Sequence, residues 1–153
     1  MQNPIFTANA DVTEFKCDVL ILKYAQALNG ADLAVANALN ISEADLNIRS
    51  GDFIFVPTKG KLPYGHVLFV GVPSLMFFDY GEIRKFSETA LRAVFQSKQA
   101  HSHVAMTMHG VGYGLDEKEA FTAQVAGILE CFSVPSGGNV PQKVTIVEQN
   151  ANR

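Results

Sequence analysis

The stretch best equipped for chemistry is Met108-His109-Gly110-Val111-Gly112-Tyr113-Gly114-Leu115-Asp116. Its alternate glycines stand between an apolar run, His103-Val104-Ala105-Met106-Thr107, that reads as a buried strand, and a helix beginning at Asp116. Glu119, three residues into that helix, completes a capping-box pattern. Alternate glycines permit left-handed backbone and leave N–H groups exposed at a helix N-terminus, which are the conditions for cradling an anion such as phosphate. A strand-to-helix turn can need the same glycines for steric reasons alone, and both readings stand at this level. His109 could donate to a ligand phosphate or hydrogen-bond to backbone where the strand ends. Tyr113, between Gly112 and Gly114, either packs on a sugar or base or plugs the core below the loop. Asp116, Glu117 and Glu119 crowd the helix start and Lys118 offsets only one of them, so a phosphate must compete with carboxylates for the free N–H groups.

Elsewhere the chemistry is thinner. Asp11 follows a first strand in the turn Ala10-Asp11-Val12-Thr13, where its carboxylate either accepts the exocyclic amine of an adenine or caps the local backbone. His101 and His103 are spaced to share one face of a strand, but no carboxylate or cysteine lies near them in sequence, and no metal site or cofactor is expected. No serine sits in a nucleophile-elbow setting, and there is no Cys-x-x-Cys or His-Glu-x-x-His motif. Cys17 and Cys131, each among apolar neighbours, read as buried thiols of a cytoplasmic protein rather than a disulfide.

The elements that must position these residues follow from periodicity. At 153 residues the chain has the size of one compact domain, residues 1–148, with 149–153 as a tail or the start of a linker. A net charge of −3 with no basic run argues against nucleic-acid binding. The longest apolar stretch, about Val67 to Val72, is strand-sized, so neither a membrane span nor a secretion leader is expected. Strands are predicted at 5–10, 18–24, 52–56, 66–72, 103–107 and 143–148. Between them fall a short helix at 33–39 with Asp32 as its cap, a helical turn at 41–46 and a long helix at 80–99. A last helix, from 116, carries Phe121, Val125, Ile128, Leu129 and Phe132 on one face. Strands alternating with helices predict an α/β fold in three layers, α/β/α, with a mixed, mostly parallel central sheet.

With these pieces placed, the chain resembles a macro domain, and especially the macro-like N-terminal domain of leucyl aminopeptidases. Ala10-Asp11-Val12-Thr13 is similar to the family's Gly-Asp-Ile-Thr, whose aspartate binds adenine, which makes Asp11 the candidate for that role. Gly51-Asp52-Phe53 through Pro63, and on from His66 to Pro73, is similar to the family's strand–turn–strand core. His109-Gly110-Val111-Gly112-Tyr113-Gly114 resembles its Thr-Gly-x-Tyr-Gly phosphate loop, with His109 where threonine is usual. The family's Asn-Ala-Ala-Asn falls around Leu22-Lys23-Tyr24-Ala25-Gln26, where no asparagine remains and Gln26 is the candidate stand-in. Its first phosphate loop falls around Asn29-Gly30-Ala31-Asp32, which keeps Gly30 but gains Asp32, a carboxylate expected to repel a diphosphate.

The resemblance implies a non-catalytic recognition or assembly domain, the N-terminal module of a larger intracellular protein, with a downstream domain or a second copy as partner. The alternative is a sensor for ADP-ribose or a related nucleotide, held by Asp11, Gln26, Gly30 and the loop His109, Gly110, Val111, Gly112, Tyr113 and Gly114. A second alternative is a divergent ADP-ribosyl hydrolase using Gln26 or His109. Peptidase activity is not expected, because the metal-binding half of such peptidases is absent from these residues.

Overall fold

The structure, a computed structural model, describes residues 4–28, 30–74, 79–97, 101–108, 116–133 and 140–148. In chain order these form β1 (Ile5–Asn9), β2 (Val19–Tyr24), α1 (Gly30–Leu39), α2 (Glu43–Leu46), β3 (Phe53–Pro57), β4 (His66–Gly71), α3 (Tyr80–Phe95), β5 (His103–Thr107), α4 (Glu117–Ser133) and β6 (Lys143–Glu148). The strands make one sheet in the order β1-β6-β5-β2-β4-β3, parallel at every pairing except the β3–β4 hairpin. Pro57 closes the edge strand β3, where a missing N–H costs no ladder bond.

A strand buried on both faces must be apolar on both, and β2 is nearly so. Val19 and Ile21 face a core shared with α3 and α4, whereas Leu20, Leu22 and Tyr24 face a second core shared with α1 and α2. The sheet is therefore covered on both sides, and the expected three-layer architecture is the one observed. On α3 the expected stripe is buried at Ile83, Phe86, Ala90 and Val94, and Asp79 caps the helix by accepting the Glu82 N–H at 2.9 Å.

Three details differ from the sequence expectation. α1 begins at Gly30, not Leu33, so Asp32 lies inside the first turn rather than at the cap. α3 stops at Phe95, short of the expected 99. On α4, Ala120, Gln124, Gly127, Ile128 and Cys131 are buried; of the expected face, Ile128 is buried and Phe121, Val125 and Phe132 pack partly buried against the same core, whereas Leu129 is 47% exposed. The outward turn of Leu129 has a steric cause. α4 lies so close to α3 that a Cβ on Gly127 would sit 2.4 Å from the Arg84 carbonyl oxygen and 2.7 Å from the Ser87 Cβ. Small residues therefore face α3 and the larger Leu129 turns outward.

Gly127→Ala should force the two helices apart and lower stability by about 1–3 kcal/mol in denaturant titrations, the usual cost of overpacking. An unchanged midpoint would show that the helices do not approach this closely.

Candidate functional site

The C-terminal ends of the parallel strands lie along one edge of the sheet. From β2 the chain crosses to α1 on one face, and from β5 it crosses to α4 on the other. Two adjacent strands whose connections leave toward opposite faces open a crevice outside their carboxyl ends, the usual place for a ligand in such sheets. β2 and β5 are paired, Val19 with Val104 through Ile21 with Met106, so the crevice lies between these central strands.

Directly beyond β1, Asp11 Oδ1 accepts from the Thr13 backbone N–H at 2.9 Å and from its hydroxyl at 2.7 Å. These bonds hold the Asp11 carboxyl below its ordinary value and leave Oδ2 without a hydrogen-bond partner among the described residues. The turn is anchored from beneath. Val12 is buried, and its carbonyl accepts the Tyr64 hydroxyl at 2.8 Å. Capping and ligand recognition are thus compatible, because one oxygen of this exposed carboxylate serves the turn and the other has no partner among the described residues.

Past β2, Gln26 adopts left-handed backbone (φ 64°), and its Nε2 donates to the Val72 carbonyl at 3.0 Å. One of its two amide N–H donors therefore ties the ends of β2 and β4 together. Gly30 opens α1 with φ 52°, and a Cβ there would meet nothing within 4 Å, so the helix start borders open space. Asp32 is not the outward-facing carboxylate expected from the sequence. It is 2% exposed, and its Oδ2 lies 3.8 Å from Lys23 Nζ. Burial pushes its carboxyl up to about 6, against the opposing pull of Lys23.

On the other side of the crevice, β5 ends at Thr107, and the Met108 N–H continues the ladder by donating to the Val147 carbonyl at 3.2 Å. His109, Gly110, Val111, Gly112, Tyr113 and Gly114 lie outside the described residues. Both flanks of that segment are held. Gln124, fully buried on α4, donates Nε2 to the Thr107 carbonyl at 2.8 Å. Asp116 caps α4 by accepting the Glu119 N–H at 2.9 Å, and its own N–H donates to the Tyr80 hydroxyl at 2.7 Å. Tyr80 thus takes the reciprocal place in the capping box that the sequence assigned to Glu119. Beside Met108, a cleft of about 350 Å³ opens between Asn9, Phe121, Ile146 and Glu148. Asp11 does not line it but lies two residues beyond Asn9.

The two histidines part company. β5 starts at His103, so the alternation that would align His101 with it does not extend that far. His101 stacks on Phe55 and meets His66 edge-on, while His103 Nε2 bonds the Thr145 hydroxyl at 2.8 Å and its ring packs on Phe15. Among the described residues, no group of three or more histidine, cysteine or acidic side chains is placed to hold a metal.

No model of a protein family matches the chain, and no curated protein matches it. Solved structures do. A Trypanosoma brucei macrodomain in complex with ADP aligns with a TM-score of 0.77 at 15% identity, over 97% of this chain and 65% of that one. An Oceanobacillus iheyensis macrodomain with MES bound aligns at 0.71 and 16% identity, over 97% and 84% of the two chains. The macrodomain of Mycobacterium tuberculosis DarG aligns at 0.69 and 13% identity, over 95% and 98%. The fold is that of a macrodomain. At these identities the likeness is one of fold, and the resemblance to aminopeptidase domains rests on the sequence patches alone.

Several residues of this macrodomain fold that shape the crevice carried no role in the sequence reading. Tyr64, Tyr80 and Gln124 act through contacts between residues far apart in sequence, which leave no local signature. Lys23 did leave one, as the single charge in the otherwise apolar run from Val19 to Tyr24.

Asp32 gives the crevice a pH signature. Its folded value is raised, so its contribution to stability is fully present below the unfolded value of 3.8 and is lost as pH rises through about 6. Burial holds His101 and His103 below the ordinary histidine value; their contribution is present above 6.5 and is lost as pH falls through the lowered values. Both histidines remain in an Asp32→Asn variant and cancel in the difference. From pH 4 to 7.5, the unfolding free energy of that variant should gain on the wild type by roughly 2–3 kcal/mol in denaturant titrations. A difference flat with pH would show that the carboxylate is not buried at the sheet end.

Proposed function

We propose that the chain is a non-catalytic recognition module for ADP-ribose or a closely related adenine nucleotide, bound across the β2/β5 crevice. The observation that carries this reading is the exposed Asp11 carboxylate, fixed through Oδ1 and kept ionised by Thr13, with Oδ2 left without a hydrogen-bond partner among the described residues. A carboxylate oriented in advance accepts an exocyclic amine without losing side-chain entropy on binding. Open space at Gly30 and the inward turn of Asp32 support it further, because the repulsion expected of a free carboxylate is absent there. The Trypanosoma brucei macrodomain, similar in fold, has been solved with ADP and also with ADP-ribose.

The non-catalytic part is supported by Gln26, whose side chain is anchored to the Val72 carbonyl through one amide N–H and so serves to join strand ends. An assembly role has less behind it. Among the described residues, the large exposed apolar side chains Phe6, Leu33, Phe53, Leu129 and Val140 are spread over both edge strands, both helical layers and the approach to β6 rather than gathered on one element.

Calorimetric titration should show heat with ADP-ribose and ADP, and Asp11→Ala should weaken binding roughly 10- to 100-fold, as expected for loss of a charge-assisted hydrogen bond. No release of ADP-ribose from a modified protein is expected. Silence at millimolar nucleotide, or turnover of the modified protein, would sink the reading.

A further inference from the structure

Lys23 occupies an unusual place. Along β2, Val19 and Ile21 point to the α3/α4 face, so Lys23 starts on that face too, next to the C-terminal end of the strand. Its ammonium nevertheless lies 3.8 Å from Asp32, on the first turn of α1, which covers the opposite face. The side chain must therefore pass over the end of the sheet, across the mouth of the crevice between β2 and β5. It remains 17% exposed there, while the Asp32 side chain is 3% exposed.

The pair is poorly made for a purely structural purpose. At 3.8 Å it falls outside hydrogen-bond distance, and no other hydrogen bond to the Asp32 carboxylate is found among the described residues. A buried carboxylate with one long contact destabilises more than it stabilises, whereas an apolar pair of similar size would pack at no such cost. Among the described residues Lys23 has one charged partner, at 3.8 Å, on the helix that Gly30 opens beside open space.

We propose that Lys23 is the cation that receives the diphosphate of the ligand, and that Asp32 is the internal anion that holds it in place until the diphosphate arrives. The inference deepens the nucleotide reading above and rests on it. A pyrophosphate group carries more charge than one carboxylate and offers acceptors within hydrogen-bond reach, so it outcompetes the 3.8 Å contact for the ammonium. The lysine thereby sets a preference for diphosphate-bearing nucleotides over nucleosides and monophosphates.

The test uses inorganic pyrophosphate and ADP-ribose as calorimetric probes on the wild type, Asp32→Asn, and the double variant Lys23→Gln/Asp32→Asn. Both variants replace the buried carboxylate by an amide, so neither leaves it unpaired, and thermal melts check that both fold. Asp32→Asn, with the competing anion removed, should bind pyrophosphate several-fold more tightly than wild type and roughly tenfold more tightly than the double variant. Equal pyrophosphate affinity in the two variants, or no binding by Asp32→Asn, would overturn the role of Lys23. If ADP-ribose binds the wild type and both variants alike, Lys23 is likewise excluded while the nucleotide reading stands. If pyrophosphate behaves as expected but ADP-ribose binds no more tightly than pyrophosphate, the anion site stands and the nucleotide reading falls.

Discussion

The pairing of β2 with β5 is the constraint on which the rest depends. The two strands run parallel at the centre of the sheet, yet the chain leaves one toward α1 and the other toward α4. Helices on opposite faces cannot both close over the strand ends, and the space between them is the crevice. Parallel strands also need both faces covered, which is why β2, β4 and β5 carry apolar residues at nearly every position. The same topology that requires a dry sheet interior therefore splits the connections at its carboxyl edge between the two faces.

Around that edge the polar groups are arranged by long-range ties. Tyr64 holds the turn that carries Asp11, Gln26 joins the ends of β2 and β4, and Gln124 and Tyr80 fix the two flanks of the glycine segment. Each tie joins a tyrosine or glutamine side chain to backbone, so the loops are pinned without adding charge to the crevice. Charge enters through Asp11 and through the Lys23–Asp32 pair, one fixed by a local turn and the other loosely held across the sheet end. Loops pinned in this way leave little to be ordered on binding, which supports the recognition reading proposed above.

The strands, the α3 stripe and the three-layer arrangement were legible in the sequence because apolar periodicity reports burial directly. The start of α1 was not, since Gly30 and Asp32 both read as turn residues and only packing makes the first turn helical. On α4 Leu129 alone departs from the expected face, for a related reason. Hydrophobicity ranks Leu129 above Gly127, but closeness to α3 ranks them the other way. Asp11 was legible as a turn residue and through its motif, whereas the direction of Asp32 was not. A carboxylate beside a glycine reads as exposed unless its partner, Lys23, is known to reach it from the far face.

The most direct test is a crystal structure with ADP-ribose. Density for the nucleotide is expected along the carboxyl edge of the sheet, with the adenine at Asp11 and the diphosphate beside Lys23 and Gly30. Nucleotide density in the separate groove of about 390 Å³ between α3 and the β3–β4 hairpin, lined by Ser50, Lys85 and Arg92, would contradict it. So would a crevice still empty at saturating ligand.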